Sequence, residues 1–128
     1  MPDKTVAQKL HIKENYKVVF INEPDSYRAI LGELPQKVSV LNELDKSADI
    51  IQWFVSSKKE LLEELNKIKS KLGPKGTLCV TYPKGTSGIK TDVNRDIIRE
   101  YAQSIGLKSV AMISVDDTWS ALRLKLSE

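Results

Sequence analysis

Lys84, Thr86 and Ser87 belong to one short loop that also holds Gly85 and Gly88 and runs into a helix start at Thr91. An ammonium, two hydroxyls and the unpaired amides of a helix start are the donors that hold a phosphate or a carboxylate. The plain alternative is a solubilising connector, and Asp92 at the helix start competes with any anion there. Further along, Asp117 offers a carboxylate for proton transfer and Trp119 an indole that can wall a cleft while its N–H stays wet. Asp116 beside Asp117 resembles an acid–base pair, yet Asp-Asp-Thr is also the composition of a tight turn, and no facing base accompanies it. Single Cys and His residues exclude a zinc site or a disulfide built within one chain. Cys79 lies between Leu78 and Val80 as a buried, inert thiol, and His11 has no partner at a telling spacing, so no catalytic residue and no metal ligand is assigned.

The segments that position these groups read as strands alternating with helices, an α/β layered fold. A short helix over residues 5–10 precedes Lys17–Ile21, whose nearly continuous apolarity predicts a central parallel strand buried on both faces. Pro24 suits a first helical position, Tyr27, Ile30 and Leu31 form an apolar side, and Gly32 is a stop. Residues 38–41 form a second strand. Only about eight residues separate it from the third, at 49–55, where a parallel crossover needs about a dozen. The second strand is therefore very short, or its connection is a single helical turn around residues 43–46. On the third strand Gln52 is the polar exception and must be hydrogen-bonded inside, while Trp53 shares a core face with Ile51 and Val55.

Ser57-Lys58-Lys59-Glu60 is a capping box, in which hydroxyl and carboxylate each take an amide that the helix start leaves unpaired. Leu61, Leu62, Leu65, Ile68 and Leu72 follow at helical spacing, Glu63 and Lys67 stand at i, i+4, and Gly73-Pro74 ends the helix. A fourth strand covers residues 77–82. Beyond the loop 83–90, Thr91 or Asp92 is the expected cap of a helix whose inward face is Val93, Ile97, Ile98, Tyr101, Ala102 and Ile105, with Gly106 as its stop. A strand over 110–115, a turn at Asp116-Asp117-Thr118 and a returning antiparallel strand, Trp119–Leu126, complete the pattern. On that strand the leucine face must be core, so Trp119 begins the more polar face with Arg123 and Lys125. Trp119 is expected to be partly exposed beside Lys84, and Trp53 fully buried.

All 128 residues fit one domain, and 41% apolar with 29% charged residues is ordinary for a soluble globule. No apolar run is long enough to cross a membrane, and the N-terminal MPDKTVAQKL lacks the apolar core of a signal peptide, so a cytoplasmic location is expected. The net charge of +3 comes from residues 58–90, where eight Lys stand against three Glu. Lys67, Lys69, Lys71 and Lys75 read as a solvated face. With aromatics at 6% and no groove-reading element, nucleic acid is not an expected partner.

Asp49-Ile50-Ile51 at a strand entry, Leu72-Gly73-Pro74-Lys75-Gly76-Thr77-Leu78 between a helix and the next strand, and the final antiparallel hairpin together resemble the second half of a class I S-adenosylmethionine methyltransferase domain. Tyr82-Pro83-Lys84, Ser87-Gly88, Thr91-Asp92 and Val115-Asp116-Asp117-Thr118-Trp119-Ser120 are similar to a small prokaryotic family, the domain of unknown function numbered three thousand and fifty-two. The resemblance implies a Rossmann-like three-layer sandwich with a mostly parallel sheet of about six strands ending in an antiparallel hairpin, and it implies little about activity. The chain departs from the methyltransferase pattern after its first strand. There the superfamily has a Gly-rich turn that lets backbone approach the cofactor, and here the turn reads Asn22-Glu23-Pro24-Asp25-Ser26-Tyr27, without glycine. Glu43 is a weak counterpart of the acidic residue at the second strand's end. S-adenosylmethionine is therefore not expected as a cofactor, and no other is assigned.

Open α/β sheets bind ligands outside the carboxyl ends of their parallel strands, where Asn22 and Glu23, the loop 83–90 and residues 116–119 would converge. The reading this supports is a non-catalytic binding or interaction module for a small anionic or polar ligand or a protein partner, with Lys84, Thr86, Ser87, Thr91, Asp117 and Trp119 as ligand contacts. The alternative is an enzyme of unknown reaction in the same cleft, with Lys84 as electrostatic clamp and Asp117 as acid or base.

Overall fold

Val18 and Val19 point to opposite faces of one strand, β1 (Lys17–Ile21), and both are buried. Two-sided burial needs a layer on each side of the sheet, as the nearly continuous apolar run requires. The computed structural model describes residues 6–10, 12–23, 27, 31–32, 34–41, 48–73, 76–84, 88, 91–115 and 118–127. Its six-stranded sheet has the order β2-β1-β3-β4-β6-β5, with β2 (Ser39–Leu41), β3 (Ile50–Phe54), β4 (Thr77–Pro83), β5 (Leu107–Ser114) and β6 (Trp119–Leu126). β1 pairs in parallel with β2 and β3, and β3 with β4, whereas β6 lies antiparallel between β4 and β5. This is the mostly parallel sheet with a terminal antiparallel hairpin that the sequence predicts. β2 has three residues, the short form that its close spacing to β3 demands.

One face of the sheet carries α2 (Lys58–Ser70) and α3 (Arg95–Ser104), whose Leu61, Leu65, Ile68, Ile98 and Ala102 meet Ile51, Trp53, Val80, Leu122 and Leu124. The other carries α1 (Val6–Lys9) together with the helical residues Tyr27 and Leu31, which cover Val18, Ile50, Phe54, Cys79, Ile113 and Ala121. Gln52 is fully buried on this second face, and its amide is paired at both ends. The Tyr27 hydroxyl donates to Gln52 Oε1 at 2.5 Å, and Gln52 Nε2 donates to Thr81 Oγ1 at 3.1 Å. A buried amide without such partners would carry a penalty of roughly 1–3 kcal/mol.

The α2 cap forms as read, since Ser57 Oγ accepts from the Glu60 amide at 3.1 Å. The Glu60 carboxylate reaches one residue further back than a standard box, accepting from the Ser56 amide at 3.2 Å. Lys67 pairs with Glu64 at 3.7 Å and not with Glu63, an exposed contact of small energetic weight. Lys69 donates to the Ile105 carbonyl at the end of α3, where a cation complements the helix dipole, so it is not simply solvated. At Gly76 a Cβ would stand 2.8 Å from Leu72 Cδ1 and 3.2 Å from the Ala48 carbonyl oxygen, which accounts for glycine at this joint.

Two boundaries differ from expectation. The cap of α3 is Asn94, whose side chain accepts from the Ile97 amide at 2.9 Å, because Thr91 and Asp92 are engaged elsewhere. β5 begins at Leu107 and not at 110, directly after Gly106 at φ 91, and a bulge at Val110 interrupts its register with β6. Lys108 and Ser109 hid this start, since an edge strand that faces water tolerates polar residues which read as loop. No helix among the described residues is long and apolar enough to cross a membrane.

Candidate functional site

β1 ends at Ile21, and Asn22 follows at φ 59, in the left-handed region that glycine usually occupies. Asparagine tolerates this conformation, so the backbone turns as a glycine would allow while an amide side chain stays in place. Asn22 stands at the mouth of a cleft of about 460 Å³ between β1, β3 and α2, lined by Ile21, Asn22, Trp53, Ser57, Lys59, Glu60, Glu63, Glu64 and Ile68. Its floor is apolar, through Ile21, Trp53 and Ile68. Its wall holds three carboxylates and one ammonium, a balance that disfavours an anion. Two of the amides at the start of α2 are already taken. Ser57 occupies the Glu60 amide, and Asp92 Oδ1 accepts from the Lys58 amide at 2.6 Å.

At the other half of the carboxyl edge stands Lys84, just after β4. Its backbone amide donates to the Thr118 carbonyl at 2.8 Å and its Nζ donates to Ser114 Oγ at 2.7 Å. Lys9, at the end of α1, donates from Nζ to the Ser114 carbonyl at 3.1 Å. Thr91 has a structural task, with its hydroxyl donating to the Ser56 carbonyl at 2.6 Å and accepting from the Val93 amide at 3.1 Å. It thereby ties the loop before α3 to the start of α2. Thr86, Ser87, Asp116 and Asp117 lie outside the described residues, as do His11, Pro24, Glu43 and Lys75.

Trp119 is half-buried, and its ring meets Phe54 edge to face with centroids 5.2 Å apart. Phe54 in turn meets Tyr27 at 4.6 Å, so the indole closes an aromatic row on the α1 face. The face of β6 that Trp119 begins is thus core near its start and becomes polar only at Arg123 and Lys125, which corrects the expectation of a generally polar face. Pro83 is opposite Trp119 in the ladder, but Ser114 is opposite Ser120, whose face belongs to Leu122 and Leu124. The Lys84 ammonium and the indole accordingly leave the sheet on opposite faces. Sequence reasoning missed Lys9 and Ser114, separated by 105 residues, for which no local spacing gives a signal.

Trp53 is 1% exposed, which sets up a direct contrast with Trp119. Acrylamide is expected to quench the Trp119 emission of Trp53→Phe far more steeply than the Trp53 emission of Trp119→Phe. The reverse order of the Stern–Volmer slopes would place the indoles wrongly. Cys79 is fully buried and its thiol is pushed up to about 12 by that burial, the nearby Arg123 charge working weakly in the other direction. It is therefore protonated at ordinary pH and no nucleophile. Among the described residues no group of His, Cys, Asp and Glu could hold a metal ion.

A parallel sheet closed by an inserted antiparallel strand, with helices on both faces, places this chain in the class of methyltransferase-like Rossmann folds, and solved structures agree. It is similar to a TehB-like SAM-dependent methyltransferase from Corynebacterium glutamicum, with a TM-score of 0.62 and 12% identity over 98% of this chain and 89% of that one. It is also similar to the B. subtilis M1A22 tRNA methyltransferase TrmK, at TM-score 0.59 and 14% identity over 100% of this chain and 68% of that one. A protein of the NADB-Rossmann superfamily from Streptococcus agalactiae is similar at TM-score 0.58 and 12% identity, over 100% and 70% of the two chains. At these identities the likeness is one of fold. The chain belongs to the family described as protein of unknown function (DUF3052), which matches residues 24–128. Among the curated proteins nothing matches.

Proposed function

We propose that this chain is a non-catalytic binding module that holds a small polar ligand at the carboxyl edge of its sheet. The observation that carries this reading is the cleft at the ends of β1 and β3, with an apolar floor and a polar wall, in the place where open α/β sheets take their ligands. Glu60, Glu63 and Glu64 direct it toward a neutral polar or cationic compound. An anionic ligand belongs instead beside Lys84, with the sequence-derived contacts Thr86, Ser87 and Asp117; Thr91 ties the loop to α2 and Trp119 leaves the opposite face, so neither is kept as a contact.

The test is a thermal-shift screen of metabolites, since a compound that binds only the folded state raises its melting temperature. A cationic or neutral polar compound should stabilise the wild type and lose that effect in the double variant Glu63→Gln/Glu64→Gln. A flat screen across all compound classes would refute the ligand reading, and a co-purifying protein would then reassign the edge to a partner. S-adenosylmethionine is expected to give no measurable heat of binding in calorimetry, because Asn22 carries a side chain at the turn where the cofactor needs bare backbone. Micromolar affinity would overturn this expectation.

A further inference from the structure

We propose that Lys9, Lys84 and the Ser114 hydroxyl form a second binding position on this edge, separate from the cleft, and that it takes a phosphate group. Two ammonium groups from chain segments far apart in sequence converge on the two oxygens of one residue, at 3.1 Å from the Ser114 carbonyl and 2.7 Å from its hydroxyl. Like charges drawn to one point repel, and among the described residues neither lysine has a carboxylate partner. A third cation stands one pleat back. Met112 shares the Ser114 face, and Arg95 Nη1 lies 3.8 Å from its sulfur. Arg95 opens α3, where the helix dipole disfavours a positive charge, and its Nε is 3.7 Å from Asp96, a carboxylate that also serves Arg99 at 3.1 Å. Asp116 and Asp117 follow Ser114 within three positions in the sequence, so the placing of the two ammonium groups on one residue, and not a net positive charge, marks this position.

The donor inventory identifies the ligand class. Each ammonium carries three N–H donors and uses one on Ser114, and the Ser114 hydroxyl, which accepts from Lys84, keeps its own proton to donate. What faces outward is several donors on compact point charges. That suits the terminal oxygens of a phosphate better than the planar fork of a carboxylate, which an arginine would match. Both lysines are partly exposed, and the backbone of Lys84 is fixed by its bond to Thr118. The position rests on the reading of an anion beside Lys84 and names its class; none of the three residues lines the cleft, so the cleft's own ligand is tested apart from it.

The experiment is a titration of the full chain with inorganic phosphate at constant ionic strength, read by thermal unfolding and by the Ser114 amide shift in NMR. Saturable stabilisation and a Ser114 shift are expected in the wild type. Lys9→Ala/Lys84→Ala should abolish both responses, and Ser114→Ala and Lys84→Gln should each weaken binding about tenfold, the loss of one charge-assisted hydrogen bond. Phosphate stabilises many proteins without binding, so an equal response in the double variant would overturn the assignment, as would a wild type that does not saturate. If the double variant does not fold, Lys84→Gln and Ser114→Ala decide, and unchanged affinity in both refutes the site. A parallel titration with glycerol 3-phosphate separates the sources: tighter binding than inorganic phosphate means an esterified ligand, equal binding a free ion.

Discussion

Trp53→Ala is expected to lower the unfolding free energy by about 3–5 kcal/mol, the cost of removing a large aromatic from a packed interior. The indole is fully buried between β3 and α2, among Ile51, Val55, Leu61 and Ile68 on the same face. It also forms part of the cleft floor, so its loss would join a new void to the existing space and limit the collapse that softens such substitutions. Urea denaturation measures this directly. A loss below about 1 kcal/mol, within the range of an ordinary surface change, would show that the indole is not a packing element. Trp53→Phe, which keeps a ring in place, should lose much less.

The second large effect concerns the buried bonds joining Tyr27, Gln52 and Thr81. Gln52→Leu removes the acceptor of the Tyr27 hydroxyl and the donor to Thr81 without changing the volume much. Each polar group that loses its partner in the interior costs about 1–3 kcal/mol, so the variant should be destabilised by several times an ordinary surface change. Tyr27→Phe/Gln52→Leu should recover part of that loss, because the hydroxyl is gone together with its acceptor. Strictly additive effects of the two substitutions would mean that the two side chains are not coupled, and the network would have no energetic content.

Much of this architecture was legible where the cause is local. The Lys17–Ile21 run, the Ser57 cap and the polar exception at Gln52 each announce burial, a helix start or a needed partner within a few residues. What escaped is set by long-range partners. Asp92 reads as the cap of the helix that follows it, yet its carboxylate serves the Lys58 amide, 34 positions earlier, and Asn94 takes over the cap. Asn22 gives no sign in the sequence that its φ is positive, since asparagine is equally at home in ordinary loops. At the candidate site, Lys84 could be named from its glycine-flanked loop, whereas Lys9 and Ser114 meet it only because α1 packs on the end of β5.

The place of β6 governs the order in which this molecule can be built. The sheet's fifth position, between β4 and β5, is filled by residues 119–126, after every other strand has been synthesised. On a ribosome, β4 therefore emerges with one edge open, and that edge stays open until β6, folded back on β5 as a local hairpin, docks against it. The β4–β6 pairing is long-range and of the kind that forms slowly, and open edges are where nascent chains stick to one another. A truncation before Trp119 would remove not a tail but the strand that joins β5 to the rest of the sheet.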